Sequence, residues 1–255
     1  MKYGISTLSI VPIRAEADDT SEMVNQVLFG EKFKVLESQK KWSKIRLSHD
    51  KYEGWICNKQ WEEIEKEYYD TLVKSEKSYT TDVLDIVRTE NNLQTIVMAS
   101  VLPSENPEEF KLSDKKYLFE GMSCRKEKEK IKITENAMMY LNSPYLWGGR
   151  TPFGIDCSGF TQMVYRLQGI DLPRDAYQQA EVGTTLSFVE ESEAGDLAFF
   201  DNAEGKVIHV GIILDNNHII HASGKVRIDR IDQQGIFNKE EGKHTHKLRL
   251  IKSIC

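Results

Sequence analysis

The sequence lacks any run of about 20 apolar residues, the length that a helix needs to cross a bilayer. Its first residues, MKYGISTLSIVPIRAE, lack the apolar core of a signal peptide. It also lacks an excess of basic residues, since the formal net charge is −6, and phosphate binding needs a basic face. We therefore expect a globular protein that binds neither nucleic acid nor a membrane.

Cysteines are few and scattered. Cys57, Cys124, Cys157 and Cys255 lie far apart and form no CxxC motif. This spacing argues against a disulfide scaffold and against a four-cysteine zinc site. Most isolated cysteines are buried, inert thiols, so each must be judged by its surroundings.

Residues 1–66 contain short alternating segments, GEKFKVLESQ, KWSKIRLS and YEGWICNKQW, separated by polar turns and by Gly30 and Gly54. Alternation of this kind predicts half-buried strands and a small antiparallel barrel. The order of YEGW, strand and KQW resembles bacterial SH3-like domains.

Residues 67–128 are rich in β-branched side chains in TDVLDIVRT, LQTIVMASVL and KYLFEG, and we interpret them as a second small SH3-like β domain. The charge run RKEKEK that follows predicts a solvated linker or a first helical turn. Thr134 before ENAMMYLN is typical of a capped helix start, with the helix ending before Pro144.

Residues 129–255 carry the candidate chemistry. SGFTQMVYRLQG places apolar residues at helical spacing and ends at Gly169. GDLAFF, VIHVGIIL, HIIHAS and KLRLIKSI then predict four strands. A helix followed by a meander of strands indicates an α+β domain.

Cys157 would lie in the first turn of this helix, with Asp156 near the cap. The unpaired N–H groups and the macrodipole of a helix start favour a thiolate, so we expect a lowered thiol pKa and a candidate oxyanion hole. A nucleophile also needs a base, and His209 and His221 lie in neighbouring predicted strands. A two-residue turn at Asn216-Asn217 would pair Ile212 with His221, whereas the catalytic interpretation predicts direct pairing of His209 with His221.

The motifs YLWGGRTPFGIDCSGFTQ, LPRDAYQQA, GDLAFF, IHVGIIL and IIHASG, in this order, resemble the NlpC-type (NlpC/P60) cysteine peptidases of bacterial cell-wall metabolism. The resemblance covers residues 130–250 and implies a papain-like peptidase domain that needs no cofactor and no metal. It makes Cys157 the nucleophile, His209 the general base and His221 the residue that orients His209. It places the Tyr145 hydroxyl near the thiol.

Among the members with SH3-like domains in front, the chain resembles the γ-D-glutamyl-L-diamino acid endopeptidases of the dipeptidyl-peptidase VI type. The resemblance implies peptidoglycan stem peptides with a free N-terminal L-alanine as substrates, in murein turnover or recycling. An ammonium group requires carboxylates at the closed end of the cleft. The candidate substrate-binding residues are Glu16, Tyr52, Tyr145, Asp156, Ser158, Arg174 and Asp175.

Arg174 could bind a substrate carboxylate or form an exposed structural ion pair. Ala176 stands where relatives of this branch often have serine, which puts the details of the alanine pocket in question.

Other interpretations remain open. His209, His221, His244 and His246 could hold zinc, although no matching carboxylate spacing is visible. The chain could also be an inactive cell-wall binding module or a related Cys/His acyltransferase. We expect a cytoplasmic monomer, or an envelope protein if a leader has been cleaved.

Overall fold

The computed structural model describes residues 1–104, 107–125 and 130–254. The chain divides into two compact units, Met1–Lys126 and Glu127–Cys255. The predicted boundary after residue 66 falls inside the first unit, and the predicted boundary after residue 128 lies among residues that are not described, as does most of the charge run RKEKEK. Both boundaries stay predictions.

The first unit is built from short antiparallel strands and helix α1. In chain order its elements are β1 (Lys2–Ile5), β2 (Ile10–Arg14), β3 (Met23–Leu28), β4 (Lys32–Ser38), β5 (Trp42–Leu47), β6 (Glu53–Cys57), β7 (Glu62–Ile64), α1 (Lys66–Lys74), β8 (Ser78–Thr80), β9 (Leu84–Arg88), β10 (Leu93–Val97), β11 (Val101–Leu102), β12 (Glu109–Leu112), β13 (Lys115–Phe119) and β14 (Ser123–Cys124).

The first seven strands form one sheet in the order β3-β2-β6-β5-β4-β1-β7. The segments GEKFKVLESQ, KWSKIRLS and YEGWICNKQW form β4, β5 and β6, as predicted. Their inward side chains, among them Phe33, Ile45 and Ile56, join one buried cluster. The alternation in the sequence thus marks the residues that this sheet buries.

The second half of the first unit contains two smaller sheets, β10-β9-β13-β12 and β11-β8-β14. Helix α1 was not predicted, although Tyr69 and Leu72 are buried at helical spacing. The segment LQTIVMASVL is split into β10 and β11, because Ala99 adopts a left-handed backbone with φ of 63°. Phe110 on β12 and Tyr117 on β13 both meet Phe29 in edge-to-face contacts, so both halves of this unit share a core.

The second unit begins with helices and ends with strands. Its elements are α2 (Lys130–Met138), β15 (Arg150–Thr151), β16 (Gly154–Ile155), α3 (Cys157–Leu167), α4 (Ala176–Gln179), β17 (Thr184–Leu186), a 3₁₀ turn (Val189–Glu191), β18 (Leu197–Asp201), β19 (Val207–Leu214), β20 (His218–Ser223), β21 (Lys225–Asp232), β22 (Gly235–Asn238) and β23 (Lys243–Ser253).

The strands of the second unit close into a barrel. The sheet order is β17-β23-β18-β19-β20-β21-β22, and β22 also pairs with β23, so β18 to β23 form a closed ring. Phe200, Ile213, Ile219, Ile231 and Ile236 form a buried cluster. Because strand side chains alternate, His209, His221 and Asp229 share the faces of these buried residues on β19, β20 and β21.

Helix α3 is the central helix of this unit, and every one of its residues is buried. It ends where predicted, because Gly169 adopts φ of 70°, a conformation that favours glycine. The predicted helix start at Thr134 is wrong: α2 already includes Lys130, and the Thr134 hydroxyl donates back to the Ile131 carbonyl inside the helix. None of the helices in the described part of the chain combines the length and the apolar character that a membrane crossing requires.

Candidate active site

Cys157 is the first residue of α3, and Asp156 is its N-cap, as the sequence predicts. The Gly159 N–H donates to Asp156 Oδ1 at 2.7 Å, which satisfies one of the free donors of the helix start. The glycine-rich loop before the helix packs closely on this turn. A Cβ on Gly159 would lie 2.3 Å from the Gly149 carbonyl oxygen, so glycine is required here.

Asp156 is also paired with Arg174. The guanidinium donates to both carboxylate oxygens, at 3.0 Å to Oδ1 and 2.5 Å to Oδ2, and to the Ser158 hydroxyl at 2.9 Å. Gly148 N–H adds a bond to Oδ2 at 2.8 Å. Of the two roles considered for Arg174, the structure shows the ion pair, but this pair is buried rather than exposed.

The backbone N–H groups of Val210 and Ser158 donate to the Cys157 sulfur. Since Val210 belongs to β19, the sulfur lies beside that strand. The expected lowering of the thiol pKa is wrong. Burial raises the pKa of Cys157 to about 12 and the charge of Asp156 adds to the rise, against these N–H groups and the Arg174 guanidinium. The thiol therefore stays protonated near neutral pH unless a base takes its proton.

The hairpin between β19 and β20 brings His209 next to His221, although neither predicted register is correct. A three-residue loop, Asp215 to Asn217, pairs Leu214 with His218 and therefore Gly211 with His221. His209 is a diagonal neighbour of His221 on the same face. Gly211 leaves room for this contact between the two histidine side chains, since a Cβ on Gly211 would lie 2.9 Å from the His221 Cβ.

A chain of hydrogen bonds runs from His209 to a carboxylate. His209 Nε2 lies 2.8 Å from His221 Nδ1, and His221 Nε2 lies 3.0 Å from Asp229 Oδ2. Burial alone would raise the pKa of Asp229, but the hydrogen bonds from His221 and Arg227 outweigh it and lower the pKa, so this carboxylate is ionised and only accepts. Burial lowers the pKa of His221, so its ring is neutral near pH 7 and must donate from Nε2 and accept at Nδ1.

The tautomer of His209 follows from that of His221. Burial lowers the pKa of His209 well below its usual value, and His221 and His246 add to this shift, so the ring is neutral near pH 7. Its single proton lies on Nε2 and is donated to His221. Nδ1 is left bare, with its lone pair available for a thiol proton.

Arg227 holds the far end of the chain of hydrogen bonds. Its Nε donates to Asp229 Oδ2 at 2.7 Å and its Nη2 to Oδ1 at 3.0 Å. Glu240 accepts from Nη1 at 3.1 Å. The carboxylate that fixes the His221 tautomer is thus itself fixed by a two-point contact.

The four histidines considered for zinc lie in different arrangements. His209, His221 and His246 are mutual neighbours, whereas His244 Nε2 lies 2.9 Å from Asp232 Oδ2. In the described ranges, no group of three or more His, Cys, Asp or Glu side chains is arranged to hold a metal ion.

The remaining predicted residues divide between the two units. Burial raises the pKa of Tyr145 to about 12, and Cys157 and Asp156 add to the rise, while the contact of its hydroxyl with the thiol stays a prediction. Asp175 is half-buried and precedes α4, with Ala176 as the first helical residue. Glu16 and Tyr52 belong to the first unit, Glu16 exposed and Tyr52 packed on its core, and their binding roles stay predictions.

The sequence analysis missed Asp229, Arg227 and Gly211, and it considered His246 only as a candidate zinc ligand. The segment KVRIDRID alternates apolar and charged residues, which is the pattern of a strand, and it is β21. Reading it as a strand would have placed Arg227 opposite His221, with Asp229 on the same face. No local signal marks His246.

Comparison with known proteins identifies both parts of the chain. The NlpC/P60 family matches residues 142–243, and the bacterial dipeptidyl-peptidase Sh3 domain matches residues 13–60. A crystal structure of an NlpC/P60 family protein from Bacillus cereus ATCC 10987 superimposes with a TM-score of 0.83 at 20% identity and covers 99% of both chains, which shows a shared fold.

Two curated relatives cover most of the chain. The γ-D-glutamyl-L-lysine dipeptidyl-peptidase of Bacillus subtilis (strain 168) is 29% identical over 212 residues, 77% of this chain and 71% of the relative. Dipeptidyl-peptidase 6 of Lysinibacillus sphaericus is 26% identical over 253 residues, 86% of this chain and 88% of the relative. This chain therefore carries an NlpC/P60 domain with a bacterial SH3 domain ahead of it, and it is a cysteine peptidase.

Proposed function

We propose that this chain hydrolyses the γ-D-glutamyl-diamino acid bond of peptidoglycan stem peptides with a free N-terminal L-alanine, and so releases L-Ala-γ-D-Glu in murein turnover or recycling. The observation that carries the proposal is the hydrogen-bond chain His209–His221–Asp229, which leaves His209 Nδ1 bare on β19, the strand whose Val210 N–H donates to the Cys157 sulfur. The names of the two dipeptidyl-peptidase relatives support the substrate class.

The first chemical step is transfer of the thiol proton to His209 Nδ1 as the sulfur attacks the γ-carbonyl carbon of D-glutamate. The imidazolium keeps its Nε2–H bond to His221, and Asp229 stabilises the positive charge through that ring. The negative charge on the carbonyl oxygen develops near the start of α3, whose dipole favours it.

The second half of the reaction returns the proton. His209 donates it to the amine of the departing diamino acid, which leaves a thioester between Cys157 and the glutamyl carbonyl. A water molecule then attacks the thioester, with His209 Nδ1 again accepting a proton. The bond between carbon and sulfur breaks, L-Ala-γ-D-Glu leaves with its new carboxyl group, and His209 returns the proton to the Cys157 sulfur. Tyr145, whose pKa is about 12, stays protonated throughout and can donate a hydrogen bond near the sulfur.

Recognition of the free ammonium group requires negative charge that is not already balanced. The carboxylate of Asp156 accepts from Arg174, Gly148 and Gly159, so its charge is largely compensated. Asp175, in the same domain, is the second carboxylate that we propose for the ammonium. Ser158 and Arg174 stay proposed substrate-binding residues beside the nucleophile.

The strands between Ser78 and Cys124 are proposed as a second SH3-like barrel. Support comes from their two small antiparallel sheets around Val87, Ile96 and Leu102, which share a core with the first sheet.

A pair of synthetic peptides tests the function. L-Ala-γ-D-Glu-L-Lys and its N-acetylated form are incubated with wild-type chain and with Cys157→Ala, and products are measured by mass spectrometry. We expect L-Ala-γ-D-Glu only from the free peptide and only with the wild-type chain. Equal cleavage of both peptides would refute the ammonium site, and no cleavage of either would refute the peptidase assignment.

Inhibitors distinguish the zinc interpretation from the thiol mechanism. Activity should persist with a chelator and disappear when Cys157 is alkylated. Loss of activity in the chelator, restored by Zn²⁺, would contradict the thiol mechanism.

A further inference from the structure

His246, on β23, packs face to face on His209. The ring centroids lie 4.3 Å apart and the planes differ by 29°. By contrast, His246 meets His221 edge to face at 5.6 Å and 81°, and Phe200 edge to face at 6.0 Å and 69°. The broad face of the His246 ring is therefore directed at His209.

The stack with His246 restricts a tilting motion of the His209 ring that the hydrogen bond to His221 still allows. The bond from His209 Nε2 to His221 fixes one corner of the imidazole, but the ring can still tilt about that corner. A second ring against its face restricts the tilt, so the direction of Nδ1 is held. The Phe200 ring adds a further contact, with its centroid 5.8 Å from that of His209.

The charge on His246 decides whether the stack helps the reaction. A neutral aromatic face over the His209 imidazolium is favourable, as in other cation–π contacts. A protonated His246 would instead set two positive charges against each other at 4.3 Å, and His209 would then accept the thiol proton poorly.

The groups around His246 keep it neutral near pH 7. Burial lowers the pKa of His246 to about 4, and His221 on β20 adds to the shift. Asp229 on β21 and Glu241, before β23, act in the opposite direction. Thr245 on the same strand hydrogen-bonds Nδ1 at 2.9 Å, and Phe200 on β18 is uncharged.

We propose that His246 is a positioning residue for the hydrolysis: its neutral ring holds the plane of His209 and stabilises the imidazolium, and its protonation turns the stack into a like-charge pair that stops the reaction in acid. This inference rests on the proposed function for its biological meaning, but the pairing of thiol and imidazole can be measured without a substrate.

The test compares His246→Ala and His246→Phe with His244→Ala, a matched control two residues away whose histidine pairs with Asp232. The rate of Cys157 alkylation by iodoacetamide is followed from pH 4.5 to 8 by mass spectrometry of the Cys157 peptide. Values of kcat and KM are measured on L-Ala-γ-D-Glu-L-Lys. Circular dichroism at each pH confirms that the variants are folded.

We expect His246→Ala to lower both the alkylation rate at pH 7 and kcat about tenfold, with KM within about twofold of the wild type. His246→Phe keeps a flat ring and should recover most of this loss. Because it cannot be protonated, it should also extend activity at least about half a pH unit further into acid. His244→Ala should behave as the wild type.

Equal rates for His246→Ala and His244→Ala, or acid limbs that coincide for His246→Phe and the wild type, would overturn the inference. If His246→Ala does not fold, the acid limb of His246→Phe decides alone. If the alkylation pattern appears but no peptide is cleaved, the proposed function fails and the role of His246 toward the thiol–imidazole pair stands.

Discussion

Replacement of Asp229 by asparagine tests the hydrogen-bond chain most sharply, because it removes a charge without changing the shape of the side chain. Asp229 Oδ2 accepts from both His221 and Arg227 Nε, whereas Oδ1 accepts from Arg227 Nη2. An asparagine amide must turn its NH₂ group toward one of these donors. Two N–H groups donate at the Oδ2 position and one at the Oδ1 position, so the NH₂ group opposes fewer donors when it takes the Oδ1 position. The amide oxygen should therefore keep its contact with His221, and both histidine tautomers should be kept.

The expected loss of kcat follows from the interactions that asparagine can still make. The lost contribution is that of a charged acceptor behind His221, and hydrogen bonds to charged groups contribute about 1.5–3 kcal/mol. Since each 1.36 kcal/mol changes a rate tenfold, we expect kcat of Asp229→Asn to fall by about 10- to 150-fold. A reversed amide would impose the wrong histidine tautomer, which lowers kcat about 10⁴-fold in a Ser–His–Asp triad.

The assay is steady-state cleavage of L-Ala-γ-D-Glu-L-Lys, with thermal denaturation measured in parallel. KM should change little, because Asp229 lies behind the histidines rather than at a substrate-binding position. Asp232→Asn is a matched control, since Asp232 on the same strand also binds a histidine, His244, outside the hydrogen-bond chain. A kcat for Asp229→Asn within threefold of the control would refute the role of Asp229.

Two further predictions concern the same barrel. Gly211→Ala should lower kcat by about 10- to 100-fold in the cleavage assay, because the new Cβ would lie 2.9 Å from the His221 Cβ and displace that ring, and an unchanged kcat would contradict this. Because burial lowers the pKa of His246 from 6.5 to about 4, the unfolded chain binds more protons than the native chain between these values, so stability falls as the pH drops through this range. His246→Phe should therefore lose about 1 kcal/mol less than the wild type between pH 7 and pH 5 in urea titrations, after allowance for solvent screening, and equal losses would count against this assignment.

The local features of the nucleophile could be predicted because they depend on neighbouring residues. Asp156 as N-cap, Cys157 at the first helical position and Gly169 at the end follow from side-chain spacing and from the backbone freedom of glycine. The thiol pKa could not be predicted in the same way. Its rise depends on burial by β19 and on the charge of Asp156, and only the folded chain supplies both.

The register of the β19–β20 hairpin shows a different limit. Asn216 and Asn217 both adopt φ of 58°, the left-handed backbone that their turn-forming character favours. Yet the loop also includes Asp215, and this shifts the pairing away from both predicted registers. Since His209 reaches His221 diagonally past Gly211, the sequence order of the histidines could not identify the contact.

The most direct test of the account is the tautomer of His209. Nitrogen-15 NMR of the histidine rings, assigned by single substitutions of the other histidines, reports which ring nitrogen carries the proton at pH 7. The hydrogen-bond chain predicts that His209 is neutral, protonated at Nε2 and bare at Nδ1. A proton on Nδ1, or a charged ring at pH 7, would contradict the account, because His209 would then have no lone pair to offer the thiol.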